Sequence, residues 1–164
     1  VTFDGLPARV LFSKEDQINL LVPAELTGRS AAQVVVKAGG LTSAPLSVTL
    51  AAVAPGIFGT LNQDYSINSA DNPAPTGTIV QVFATGLPVA GPFYGPIILA
   101  RVHDRAPATP LWAGSAPGFA GLQQVNVWIP DDLPAMTTDV RVCAGSPERP
   151  SELICSPPSR ITLR

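Results

Sequence analysis

Gln17-Ile-Asn-Leu-Leu-Val-Pro23 returns later in the chain as Gln124-Val-Asn-Val-Trp-Ile-Pro130, and that recurrence decides the fold. In both copies the apolar residues follow a two-residue period, the pattern of a β-strand with one buried face. Ile18, Leu20 and Val22 fall on one face, and Gln17, Asn19 and Leu21 on the other. In the second copy Val125, Val127 and Ile129 take the inward face, while Gln124, Asn126 and Trp128 face outward. An amide kept at the same outward place in both copies is expected to hydrogen-bond the backbone of an adjoining loop.

Three more blocks recur in the same order. Gly5-Leu-Pro-Ala-Arg-Val-Leu-Phe12 matches Arg105-Ala-Pro-Ala-Thr-Pro-Leu-Trp112, and Val34-Val-Val-Lys-Ala-Gly39 matches Val140-Arg-Val-Cys-Ala-Gly145. Ser43-Ala-Pro-Leu-Ser-Val-Thr-Leu50 matches Ser156-Pro-Pro-Ser-Arg-Ile-Thr-Leu163. The shift is 100 from Pro7 to Pro107, 107 from Gln17 to Gln124, 106 from Val34 to Val140 and 113 from Ser43 to Ser156. It changes only between blocks, in stretches rich in Gly, Pro, Ser and Ala, where a sheet protein tolerates insertions in its turns. The blocks therefore read as strands and the gaps as loops. Trp112 stands where Phe12 stands and is expected in the core.

No segment carries a sustained apolar stripe at helical spacing, so the class is all-β, read as tandem immunoglobulin-like β-sandwich units. Residues 1–53 form the first unit, residues 54–77 an Asn/Asp/Pro-rich connector, and residues 78–164 the second and more complete unit. Thr78-Ile-Val-Gln-Val-Phe-Ala-Thr-Gly86 is a clear strand ahead of the second copy's shared blocks, and the first copy has no room for its counterpart. The first unit is thus expected to lack at least one N-terminal strand. A sandwich short of a strand exposes an unpaired edge and part of its core, which invites pairing with another chain. Neighbouring domains of a longer chain, the connector or another subunit are the expected cover.

Composition narrows the functional classes. Charged residues are 13% of the chain, about half the usual share, against 46% hydrophobic residues. With 14 Gly and 18 Pro the chain is rich in turn residues without reaching the level of a disordered one. The net charge of −2 is spread without runs, and no basic stripe exists to neutralise phosphates, so neither nucleic acid nor an anionic membrane is an expected partner. No apolar run approaches the roughly 20 residues of a membrane span. The start Val1-Thr-Phe-Asp4 lacks both parts of a signal peptide, so the chain reads as a mature or excised segment.

The two cysteines, Cys143 and Cys155, lie 12 apart on either side of a turn-rich stretch. By strand parity Cys143 points away from the core, where a partner on the next strand can close a disulfide worth about 3 kcal/mol in the chain-entropy model. Such a bridge implies an oxidising compartment, and so a secreted or surface protein. Two unrelated reduced thiols are the alternative.

These blocks resemble the Solibacter-type carboxy-terminal repeat domain of unknown function found in secreted acidobacterial proteins. Gly5-Leu-Pro-Ala8, Gln17-Ile-Asn19, Ala54-Pro-Gly-Ile-Phe58, Asn72-Pro-Ala74, Phe83-Ala-Thr-Gly-Leu87, Ala116-Pro-Gly-Phe119 and Gln124-Val-Asn126 carry the resemblance, across nearly the whole chain. The longer loop from Gly145 to Leu153 and the cysteine pair depart from it. The resemblance implies an extracellular immunoglobulin-like module, and it supplies no catalytic residue.

An enzyme is not expected. His103 is the sole histidine, and Gly114-Ser-Ala-Pro-Gly118 puts its serine directly after a glycine, not at the centre of a nucleophile elbow. His103-Asp104 reads as a solvent-exposed pair at a strand end. No cofactor is implied. Asp64, Asn68 and Asp71 supply oxygen ligands for calcium, but their spacing lacks the glycine and closing glutamate of the twelve-residue loop, so a plain Asx-rich turn competes. Trp128, Phe93 and Tyr94 are candidate platforms for a sugar. The leading expectation is a non-enzymatic extracellular structural or adhesion module, a fibre subunit assembled by strand donation between chains. The alternative is a carbohydrate-binding accessory module, with polysaccharide as partner.

Overall fold

The computed structural model describes residues 1–88, 97–145 and 152–164. They form strands, turns and one short 3-10 helix, so the chain is all-β, with several sheets compatible with a β-sandwich. It divides into two compact units, Val1–Ala52 and Val53–Arg164.

The first unit contains β1 (Thr2–Phe3), β2 (Leu6–Pro7), β3 (Arg9–Lys14), β4 (Gln17–Leu21), β5 (Ala31–Val35), β6 (Lys37–Ala38), β7 (Leu41–Thr42) and β8 (Leu46–Thr49). One sheet runs β2-β1-β5-β8, and β3-β4 and β6-β7 are separate two-stranded ladders. The second unit contains β9 (Gly56–Asn62), β10 (Ile79–Thr85), β11 (Ile97–Val102), β12 (Trp112–Ser115), β13 (Gln123–Trp128), β14 (Thr137–Gly145), β15 (Ile154–Cys155) and β16 (Ser159–Thr162). Here one sheet runs β12-β13-β10-β9, and the other joins β14 to β11, β15 and β16.

The same pairings recur in both units. Phe12 lies opposite Asn19 as Trp112 lies opposite Asn126. Phe3 and Leu46 flank Val34 as Val102 and Ser159 flank Val140. Even the turn after the first of these strands is shared: Asp4 and His103 both hold positive φ, and their N–H groups donate to Gln33 O and Asp139 O at 2.9 Å. The repeat read from the blocks is therefore a repeat of strand register.

Residues 54–77, expected as a connector, are largely built into the second unit. β9 pairs with β10 along its length, and Ala74 bridges Leu163 in parallel. Gly56, Gly59 and Asn62 disguise this strand in the sequence, because none is a residue that strands favour. Asn68 completes the attachment. Its Nδ2 donates to Thr162 O at 2.9 Å and its Oδ1 accepts from Thr162 N at 2.8 Å, so one side chain satisfies both backbone groups of a residue in β16.

Sixteen buried apolar residues, contributed by both sheets, form the second unit's core among the described residues, whereas Phe3, Leu26 and Ala32 alone form the first unit's. A core of three buried residues covers little apolar surface. Among the described residues of the first unit, no strand takes the places that β9 and β10 hold in the second.

Candidate functional site

The two units differ most at the edge of β4 that β3 does not pair, and at the face beside it. On β13, which corresponds to β4, the other edge is covered by β10 over six residue pairs from Ile79–Trp128 to Ala84–Gln123. No strand pairs with β4 on that side among the described residues. The consequence shows in burial. Val125 and Ile129 are 0% exposed, while Ile18 and Val22 at the matching positions are 38% and 50% exposed. Ile18 and Val22 share one face of β4 as alternation requires, but no strand among the described residues covers it. Leu20 is partly buried against the small core. Beside Val22, Leu26 and Leu50 an open cleft of about 560 Å³ continues this exposed floor.

The amides behave otherwise than expected. Gln17 Nε2 donates to Asn19 Oδ1 at 2.8 Å, and Gln124 Nε2 donates to Asn126 Oδ1 at the same distance. Both bonds run along the strand, not to a loop. The loop contact falls to Gln123, whose Oε1 accepts from Leu87 N at 3.0 Å and whose Nε2 donates to Leu87 O at 2.9 Å.

A second surface lies on the outer face of the second unit's β12-β13-β10-β9 sheet. Trp112, Asn126, Gln81 and Leu61 stand in one row of direct cross-strand partners, and Trp128 is diagonal to Trp112 beside Ile79. Trp112 is not a core residue. It is 44% exposed, because its partner Asn126 faces outward, and its ring lies across Gly114, where a Cβ would meet it at 2.7 Å. Trp128 is 49% exposed. Gln81 is buried in the same row, and its Oε1 has no hydrogen-bond partner among the described residues. The face carries no charge. Phe93 and Tyr94, the other platform candidates, lie outside the described residues.

Cys143 and Cys155 are joined in a disulfide, directly opposite each other across β14 and β15. Cys143 is fully buried, not exposed as an outward position would be, since its sulfur is taken up by the bridge to the strand alongside. A bridge of this kind persists in oxidising surroundings. No helix among the described residues is long and apolar enough to cross a membrane.

Two of the three calcium candidates, Asp64 and Asn68, are engaged in hydrogen bonds. Asp64 Oδ1 accepts from the hydroxyl and the N–H of Ser66, and the hydroxyl bond first, then the N–H, hold the carboxyl below its ordinary pKa. Asn68 is spent on Thr162 and Asn62, and Asp71 is exposed. Among the described residues no three His, Cys, Asp or Glu side chains gather to hold a metal ion. His103 pairs with Asp104 through Nε2 at 3.3 Å and with the Thr138 hydroxyl through Nδ1 at 2.9 Å, so neither ring nitrogen bonds Ser115.

No family model matches the chain, and neither a curated protein nor a solved structure matches it.

Proposed function

We propose that this chain is a non-enzymatic structural module of a secreted or cell-surface protein, carrying two immunoglobulin-like β-sandwich units of which the first is completed by strands from outside it. The contrast between Ile18 and Val22 on one side and Val125 and Ile129 on the other carries this reading. Exposed apolar side chains beside an unpaired strand edge are an assembly contact, since both backbone groups and apolar surface gain from being covered. The disulfide and the low charge agree with an extracellular scaffold. Sedimentation velocity on the purified chain is expected to show concentration-dependent association, reduced strongly in the double variant Ile18→Thr, Val22→Thr. A chain that stays monomeric throughout, or associates equally with both residues replaced, removes the reading.

A carbohydrate-binding role is the second reading, and the shared face of Trp112 and Trp128 supports it. Flat aromatic faces flanking uncharged amides suit the apolar face and hydroxyls of a neutral polysaccharide. Retention on insoluble polysaccharide is expected to fall about tenfold in Trp112→Ala and in Trp128→Ala, the scale of about 1.4 kcal/mol. Retention unchanged in both variants, or absent from the parent chain, sinks it.

A further inference from the structure

Resting on the reading that the first unit is completed from outside, we infer that the missing piece is a segment with the pattern of residues 73–85, lying antiparallel along β4 in the register that β10 takes on β13. The second unit shows what such a segment does. Val80 faces Val127, Gln81 faces Asn126 and Val82 faces Val125. The shift of 107 between the two copies moves these partners to Leu20, Asn19 and Ile18. A strand with small or β-branched residues at the Val80, Val82 and Ala84 positions would bury the same face of β4.

The cleft gives an independent reason. In the second unit the space beside Ile129 and Leu163 is closed by Ala74, fully buried against Leu163, and by Gly77, whose N–H donates to Ile129 O at 3.0 Å. Val22 and Leu50 are the counterparts of Ile129 and Leu163, and they line the open 560 Å³ cleft. The occupant therefore includes the turn that precedes the strand. The chain's own β10 is not free to serve, because Val80, Val82 and Ala84 are fully buried in the second unit. The donor is the corresponding segment of another repeat unit of this kind. Neither β4 nor β10 carries a charge, so nothing opposes their pairing.

Both cysteines of the chain are held in the disulfide, so an introduced thiol is unique. The test adds synthetic peptides of residues 73–88, carrying Gln81→Cys or Ile79→Cys, to the full chain carrying Asn19→Cys or Leu21→Cys under mild oxidation. Disulfide trapping is expected to be about tenfold faster for Asn19 with Gln81, and for Leu21 with Ile79, than for the two crossed combinations, since a one-pair mismatch on the same face stretches the separation from about 5 Å to about 7–8 Å, beyond the reach of a disulfide. A scrambled peptide sets the background. Equal trapping in all combinations, or none above background, overturns the register and the occupant. The unmodified peptide is also expected to suppress the association seen in sedimentation. Association through Ile18 and Val22 that the peptide neither suppresses nor is trapped by overturns this inference alone, whereas a chain that neither associates nor traps the peptide overturns the proposed completion as well.

Discussion

Replacing Gly86 by alanine is expected to destabilise the second unit by about 3 kcal/mol or more, the largest effect of a glycine-to-alanine change among the described residues. Gly86 closes β10 at φ +69°, and its carbonyl accepts from Ala54 N at 2.9 Å, tying the entry of β9 to the exit of β10. A Cβ there would sit 1.9 Å from Ala54 O and 2.5 Å from its carbonyl carbon, both backbone atoms that cannot swing aside. The left-handed conformation costs about 1–2 kcal/mol for a residue with a Cβ, and relieving the clash adds about 1–3 kcal/mol. Gly118→Ala is the control. Its φ is +80°, but open space surrounds the position, so only the conformational cost remains. Both tryptophans lie in the second unit, so urea denaturation followed by intrinsic fluorescence reads that unit directly. A Gly86→Ala midpoint equal to that of Gly118→Ala would show that the Ala54 contact does not hold the strands together.

Ile129→Ala is expected to cost about 2–5 kcal/mol, and Val22→Ala, at the corresponding place in the first unit, less than about 0.5 kcal/mol. Ile129 is fully buried among both sheets, and removing its side chain leaves a cavity that packed strands cannot collapse. Val22 is half exposed and leaves nothing behind. Fluorescence-detected denaturation measures the first substitution, and amide exchange at Leu26 and Ala32 the second. Comparable losses at the two positions would mean that the first unit's floor is already covered in solution.

Much of this architecture can be read from the residues. The offsets between repeated blocks are the same offsets that relate Phe12 to Trp112 and Val34 to Val140 in the strand ladders, because insertions gather in turns and leave register untouched. Trp128 faces outward and Val125, Val127 and Ile129 inward as their alternation requires. The cysteine pair meets as its position beside a turn suggested. Trp112 shows where this kind of reading fails. Its match to Phe12 holds, but Phe12 itself is exposed, so the equivalence transmits a face and not a degree of burial. Burial is a property of neighbours, and the neighbours of β4 do not appear in its own pattern. β9 escaped notice because glycines and an asparagine interrupt it, and the Asn68 contact because its partner is 94 residues away.

The tie between Asn68 and Thr162, together with the bridge from Ala74 to Leu163, also sets an order of events when the chain is made. The second unit cannot close its sheets until its final strand has left the ribosome, so β9 and β10 must wait through most of its translation with their apolar sides unsatisfied. During that interval their uncovered apolar sides and open edges are exposed to wrong pairing, and that is the misassembly risk this long-range closure carries.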